Sequence, residues 1–186
     1  MGLLSYPEPE LSDGHVRLRR WNETDADCIR EASTDPAITK DTSVPGVFTR
    51  DEGLAFIHRQ WSRLDDGVGV SQAIVDMRVE RTVGLVIVNL RPQAGVGGLG
   101  YWVIPSARGA GVAVRAVRLV SEWALSALGL NRIEAWVAPD NASSQRVLIS
   151  AGYLCEGRLR NFFHSPSGPS DAVVLSRIPD SQPTRP

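Results

Sequence analysis

A short segment of the chain has the residue types of an anion-binding loop: Arg108-Gly109-Ala110-Gly111-Val112-Ala113. It follows a predicted strand and opens a predicted helix, and the first N–H groups of a helix have no partner inside it. The two glycines let a ligand approach the backbone closely, and the helix dipole and the arginine charge favour an anion. The segment predicts a pyrophosphate site. The alternative is a plain strand–turn–helix corner with glycines for tight packing.

A second glycine-rich segment, residues 95–100, spells the dinucleotide-binding pattern Gly-x-Gly-x-x-Gly. Such a loop must follow a strand and open a helix. Here residues 101–104, Tyr-Trp-Val-Ile, come next, and they favour a strand that ends at Pro105. We therefore interpret these glycines as a flexible connection between strands and reject the dinucleotide site.

Residues 132–153 form a second block, which predicts a strand, a turn, a helix that stops at Gly152, and a further strand. Pro139-Asp140-Asn141 has the chemistry of a turn. Asn141 can cap the helix that follows. That role is compatible with a polar contact to a ligand.

The alternation of predicted strands and helices along the chain indicates an α/β protein. Strands are predicted at Val16–Arg20, Ser71–Asp76, Thr82–Asn89, Leu99–Ile104, Arg132–Val137, Tyr153–Leu159 and Ala172–Ser176. Helices are predicted at Asn22–Ser33, Arg50–Leu64, Gly109–Leu128 and Ser143–Ala151, the second of them behind a capping box at residues 49–52. Residues 34–48 are predicted to form a loop, and residues 1–14 and 179–186 to form tails.

The bulk composition excludes several classes of protein. The chain has 186 residues, which fits one domain with a core at about 13–178. A net charge of −1 gives no reason to expect a nucleic-acid or membrane partner. Two lone cysteines and three isolated histidines predict neither a disulfide framework nor a metal site. No signal peptide or apolar span is visible, so we expect a cytoplasmic protein.

The two blocks, in this order and spacing, resemble the GCN5-related N-acetyltransferase (GNAT) superfamily. Arg108, Gly111 and Ala113 match its R/Q-x-x-G-x-G/A signature. Within the superfamily the chain is similar to the ribosomal-protein alanine acetyltransferases of the RimJ/RimL type. That similarity rests on Arg-Ile-Glu-Ala from residue 132, Pro-Asp-Asn-x-x-Ser-x-Arg-Val-Leu from 139, Ala-Gly-Tyr from 151 and Glu-Gly-x-Leu-Arg from 156. It covers roughly residues 13–178.

The resemblance implies a mixed, mostly antiparallel sheet of six to seven strands flanked by about four helices. It implies acetyl-CoA as the co-substrate and no metal. The strand at residues 102–104 would pair with the pantetheine arm, and the first block would cradle the pyrophosphate. The predicted cofactor contacts are Trp102, Val103, Ile104, Arg108, Gly109, Ala110, Gly111, Val112, Ala113, Asn141, Ser144 and Arg146. The amine would enter near residues 34–48 and the helix after them.

Acetyl transfer from a thioester needs a neutral amine, a polarised carbonyl and a proton for the leaving thiolate. Many relatives supply that proton from a tyrosine four residues before the helix-ending glycine, where this chain has Leu148. Ser144 lies one turn earlier on the same helix face and is the candidate acid. The alternative is a helix-start serine bonded to its own backbone.

The general base is harder to place. Relatives often carry a glutamate on the cofactor strand, where this chain has Gly98. Glu134 is the nearest remaining carboxylate and our candidate base, although we favour the alternative that it is a structural partner for an arginine. A water held by backbone groups can then take its place.

These residues predict an N-acetyltransferase that moves acetyl from acetyl-CoA to a primary amine, most plausibly a protein or peptide N-terminal α-amine. The α-amine has a pKa of about 7.7–8.0, against about 10.4 for lysine, so it is more easily neutral without a strong base. The alternatives are a small-molecule amine (amino sugar, polyamine or antibiotic) and a non-catalytic acetyl-CoA sensor. A monomer and a homodimer are both compatible with the sequence.

Overall fold

The computed structural model describes residues 4–165 and 168–179 and is built around one eight-stranded sheet. The strands are β1 (Leu11–Ser12), β2 (Val16–Arg19), β3 (Gly69–Asp76), β4 (Arg81–Leu90), β5 (Val96–Val103), β6 (Arg132–Val137), β7 (Leu154–Ser165) and β8 (Gly168–Arg177). Their order is β1-β2-β3-β4-β5-β6-β8-β7. Among the described strands the β5–β6 pair alone is parallel, so the expected mixed, mostly antiparallel α/β sheet is confirmed, with eight strands where about six to seven were expected.

Helices cover both faces of the sheet: α1 (Ala26–Ala32), α2 (Pro36–Thr39), α3 (Arg50–Asp65), α4 (Val112–Ser126) and α5 (Ala142–Ser150). Successive residues of β5 show which helix lies on which face. Trp102 packs against Phe56 of α3, with ring centroids 6.3 Å apart, whereas the neighbouring Tyr101 contacts Ser144 of α5. Since adjacent strand residues point to opposite faces, α3 and α5 lie on opposite sides of the sheet.

Local capping signals locate α3 and α2. The Thr49 hydroxyl accepts a hydrogen bond from the Glu52 N–H at 3.1 Å, which confirms the predicted start of α3. The short helix α2 falls inside the predicted loop 34–48, a correction to that prediction. Asp35 caps it by accepting from the Ala37 N–H, and Pro36 takes its first position.

The glycine-rich segment is the main correction to the predicted fold. Gly97, Gly98 and Gly100 lie inside β5 and do not form a flexible connection. A Cβ on Gly97 would come within 2.7 Å of the Leu130 side chain, and one on Gly98 within 2.5 Å of Arg91. These glycines therefore serve close packing, and the real turn lies just before them at Gly95, whose φ is +75°.

Three boundaries also differ from the predictions. The long helix begins at Val112 and not at Gly109, because Gly109 and Gly111 have left-handed backbones that a helix cannot contain. The last two strands are longer than predicted because they pair with each other along most of their length. The two-residue β1 lies in the predicted N-terminal tail and is too short for an alternating pattern. Residues 180–186 of the predicted C-terminal tail lie outside the described residues.

Among the described residues, no helix combines the length and apolar character needed to cross a membrane. The fold brings the end of β5, the start of α4, the end of β6 and the start of α5 to the same region of the sheet.

Candidate active site

The two parallel strands separate after a short contact. β5 pairs with β6 only from Val96 to Gly98, opposite Arg132 to Glu134. β5 then continues to Val103 and β6 to Val137 with no pairing between them. Because strand edges carry unpaired N–H and C=O groups, the β5 edge beyond Gly98 is suited to pairing with an extended amide chain such as pantetheine, except at the Val103 carbonyl, which accepts from Arg108 Nε.

The loop that follows β5 leaves its backbone open to a ligand. Gly109 and Gly111 have φ values of +79° and +75°, and open space surrounds the position of a Cβ at each. Gly111 is the N-cap residue of α4 and brings no side-chain cap, while the buried Val112 fixes the first turn in the core. Open N–H groups at a helix N-terminus fit a pyrophosphate.

Arg108 is already engaged by the protein. Its Nε donates to the Val103 carbonyl at 3.0 Å, and its Nη2 lies 2.5 Å from Asp35 Oδ2. Asp35 neutralises much of the arginine charge, so the attraction for an anion comes mainly from the α4 N-terminus. The same ion pair ties the predicted acceptor segment, residues 34–48, to the loop predicted to hold the cofactor.

Two hydroxyl groups meet in the wall formed by β5 and α5. Tyr101 OH and Ser144 Oγ are 2.7 Å apart, and the tyrosine also donates to the Ser144 carbonyl at 3.1 Å. Burial raises the pKa of Tyr101 to about 12. The tyrosine hydroxyl therefore stays protonated at neutral pH, which a proton donor requires.

Sequence reasoning missed Tyr101. The two residues are 43 positions apart, and no local pattern joins them. The available signal was the tyrosine next to Gly100 on the strand predicted to bind the cofactor. The place where relatives carry their tyrosine is closed here, because Leu148 is fully buried.

Asn141 caps α5, which is the helix-capping role that the sequence allowed for it. Its Oδ1 accepts from the Ser144 N–H at 3.0 Å and from the Ser143 hydroxyl at 2.9 Å. Its Nδ2 makes no hydrogen bond within the described residues and can donate outward. Arg146 is exposed and likewise has no ion pair in the described part of the chain. Both remain predicted cofactor contacts.

Glu134 has both carboxylate oxygens occupied. Oε1 accepts from Arg132 Nε at 2.8 Å and Oε2 from Trp136 Nε1 at 2.9 Å. This is the arginine-partner alternative, and it leaves the predicted base role without geometric support. Arg132 also pairs with Glu156, and that contact, with a hydrogen bond from Ser176, lowers the pKa of Glu156 to about 2.

The histidine, cysteine and acidic side chains of residues 4–165 and 168–179 form no metal site. No group of three or more histidine, cysteine or acidic side chains there is arranged to hold a metal ion.

Comparisons with known proteins identify the family of the chain. The family profile described as "Acetyltransferase (GNAT) domain" matches residues 15–154. The uncharacterized N-acetyltransferase YoaA of Bacillus subtilis (strain 168) is 25% identical over 171 residues, which are 91% of this chain and 97% of YoaA.

Two solved structures share the fold. Mycobacterium smegmatis RimJ, in complex with CoA-disulfide, superposes with a TM-score of 0.78 at 23% identity, covering 91% of this chain and 84% of RimJ. Ribosomal-protein-S5-alanine acetyltransferase from Vibrio fischeri gives a TM-score of 0.75 at 22% identity, covering 96% of this chain and all of that chain.

The chain belongs to the GNAT acetyltransferase family. It has the α/β fold of that family and is an N-acetyltransferase, so acetyl-CoA and an amine are its expected substrates. The resemblance to the RimJ/RimL type inferred from the motifs is matched by RimJ among the structures of the same fold.

Proposed function

We propose that the chain transfers the acetyl group of acetyl-CoA to the N-terminal α-amine of a protein or peptide. The observation that carries this proposal is the engagement of Glu134. Both its oxygens accept hydrogen bonds, and the cofactor strand has Gly98 where relatives carry a glutamate. An acceptor that is partly neutral by itself fits such a site best.

The pKa of the acceptor decides between two kinds of protein amine. At pH 7.4 roughly a fifth to a third of free α-amines are neutral, but only about one lysine amine in a thousand. Deprotonating a lysine at this pH would cost about 4 kcal/mol. Glu134 is poorly suited to accept that proton, because both its oxygens already accept hydrogen bonds. The name of the ribosomal-protein-S5-alanine acetyltransferase is compatible with an α-amine acceptor, because alanine has no side-chain amine.

Each part of the site has a role in the proposed reaction. Backbone N–H groups of residues 109–113 hold the pyrophosphate, and the free edge of β5 holds the pantetheine amides. The Tyr101–Ser144 pair donates a proton to the thiolate when the amine nitrogen replaces sulfur on the carbonyl carbon. The proton lost by the amine passes to water, and the pair regains its proton from water. Asn141 Nδ2 and Arg146 contact the cofactor from the start of α5.

An acceptor comparison tests the proposal. Acetyl-CoA is offered with a peptide that has a free N-terminal Ala or Ser, with the same peptide N-blocked and carrying an internal lysine, and with amino sugars and polyamines. We expect the free N-terminus to be acetylated fastest, as measured by mass spectrometry. Faster modification of the blocked peptide or of the small amines would reject the proposed acceptor and leave the acetyltransferase activity standing.

A further inference from the structure

Arg91 is a cation that the reaction described above does not use. It follows β4 directly, and its backbone N–H donates to the Val96 carbonyl at 2.9 Å across the β4–β5 turn. Its guanidinium carbon lies 3.6 Å from the centroid of the Trp136 ring. Phe162 packs edge-on against the same tryptophan, with centroids 4.5 Å apart. The arginine therefore has a fixed, aromatic support.

Gly98 provides the space for this arginine. A Cβ at that position would lie 2.5 Å from Arg91 Nε and 2.6 Å from its Cζ and Nη2. Any side chain there would push the guanidinium off the tryptophan. Relatives often carry a glutamate at this position, whereas here the Arg91 guanidinium occupies the space beside Gly98.

The guanidinium has no anionic partner in the described part of the chain. Its Nε is buried without a hydrogen-bond acceptor, and burial lowers the pKa of Arg91. Glu134 acts on it electrostatically, but the oxygens of that carboxylate already accept from Arg132 and Trp136. Burying the Nε donor without an acceptor costs free energy, which an anion bound to the guanidinium would offset.

A second arginine, Arg63, contacts the residue that pairs with Gly98 across β4 and β5. Asn89 of β4 is the register neighbour of Gly98, and its Oδ1 accepts from Arg63 Nη1 of α3 at 3.0 Å. The described partner of Arg63 is thus an amide and not a carboxylate. Positive charge near the Asn89–Gly98 pair therefore comes from Arg63 as well as from Arg91.

The position of Arg91 places it beside the predicted reaction centre. Gly98 is the last β5 residue that pairs with β6, so the gap between these strands begins at the next residue. Gly100 lies two residues further, about 7 Å along the strand. Gly98 and Trp102 lie four residues apart on β5 and therefore belong to the same face of the sheet. The helix α3 covers that face, and the acceptor is expected to enter there.

We infer that Arg91, supported by Trp136 and Gly98, binds an anionic group on the acceptor, a carboxylate or a phosphate close to the reacting amine. The inference rests on the proposed function for its peptide form: a protein N-terminus with an acidic residue at its second or third position. One or two extended residues span about 3.5–7 Å, which is comparable to the roughly 7 Å along β5 between Gly98, where Arg91 lies, and Gly100 inside the gap.

The test uses two matched pairs of acceptors. The first pair is a peptide beginning Ala-Glu-Glu and its Ala-Gln-Gln counterpart. The second pair is glucosamine 6-phosphate and glucosamine. Each is acetylated by the wild type, by Arg91→Gln and by the control Arg30→Gln, which removes an exposed arginine whose ion pair in the described part of the chain is with Asp27.

For the wild type and for Arg30→Gln we expect kcat/KM at least tenfold higher for the anionic member of the pair that is used, mainly through KM. In Arg91→Gln the preference should fall below threefold, with kcat/KM for the neutral member nearly unchanged. A wild type without preference, or a preference that survives Arg91→Gln, overturns the inference. If only the amino-sugar pair is acetylated, the proposed peptide acceptor fails while the role of Arg91 is still decided.

A stability measurement separates this role from a purely structural one and needs no acceptor. Arg91→Met keeps the apolar contact with Trp136 and removes the unpaired charge. We expect its Tm to equal or exceed that of the wild type, because a half-buried cation without an anionic partner is replaced by an apolar side chain. A Tm lower by several degrees would show that the arginine serves the packing of Trp136, and would overturn the inference.

Discussion

The helices α4 and α5 follow the two parallel strands that bound the active-site gap, yet they begin in opposite ways. At α4, Gly111 has a left-handed backbone and supplies no side-chain cap. At α5, Asn141 caps the helix through its Oδ1. One helix leaves its N-terminal donors open, and the other satisfies one of them with its own sequence.

This difference separates two tasks of the site. Unsatisfied N–H groups at a helix N-terminus attract an anion, so α4 is suited to hold a phosphate. The start of α5 is closed and rigid, so the same turn can position Ser144 against Tyr101 for proton transfer. The proposed phosphate binding thus lies at α4, whereas α5 carries the proposed proton donor beside the predicted cofactor contacts Asn141 and Arg146.

The largest expected effect tests the chemical side of this comparison. Ser144→Ala should lower kcat by at least about 100-fold, with little change in acetyl-CoA affinity, because a proton donor acts mainly in the transition state. Steady-state kinetics and calorimetry measure the two quantities. Ser143→Ala, in the same turn, is the matched control, because among the described residues the Ser143 hydroxyl donates to Asn141 and not to Tyr101. A kcat within twofold of the wild type would reduce Ser144 to a helix-start residue.

Gly109→Glu tests the binding side. A carboxylate beside the α4 N-terminus should repel the pyrophosphate and weaken acetyl-CoA binding at least tenfold, about 1.4 kcal/mol, as measured by calorimetry. Gly129→Glu is the control, because Gly129 also has a left-handed backbone with open space around it but lies beyond the C-terminus of α4. Both variants carry a strain of roughly 1–2 kcal/mol. Equal affinities in the two variants would reject the phosphate loop.

The pH dependence of kcat/KM sharpens the assignment of the proton donor. For a peptide α-amine the rate should rise about tenfold per pH unit and level off above about 7.7–8.0, as the amine becomes neutral. The acid must stay protonated, and burial raises the pKa of Tyr101 to about 12. No alkaline decrease is therefore expected up to pH 10, whereas a fall with a midpoint near pH 9 would exclude the tyrosine as proton reservoir.

The smallest effect concerns the cap of α5. Asn141→Ala should lower the free energy of unfolding by about 1 kcal/mol, whereas Asn141→Asp keeps a capping oxygen and should retain it. Denaturant unfolding measures this difference. If the free Nδ2 contacts the cofactor as predicted, both variants should bind acetyl-CoA more weakly. Unchanged affinity in both would leave Asn141 with its capping role alone.

The sequence predicted the elements whose signals are local. The start of α3 followed from Thr49 and Glu52, and the end of β5 from Pro105, because caps and breakers act over a few residues. The glycines of residues 97–100 were misinterpreted, since their small size is required by Leu130 and Arg91, which are distant in the sequence or reached across a turn. Propensity alone cannot distinguish a glycine that permits a turn from one that permits a close contact.

By itself, the sequence determined the family, the order of most strands and helices, and the loop suited to a pyrophosphate, because each is carried by short-range spacing. Only the tertiary structure decided that Ser144 meets Tyr101, that Glu134 is occupied by Arg132 and Trp136, and that Arg91 lies over Gly98. Most of these contacts join residues of different strands and helices. Glu134, Arg132 and Trp136 all belong to β6, but their side chains meet because the extended strand puts them on one face. The chemistry of a side chain depends on which partners the fold leaves to it.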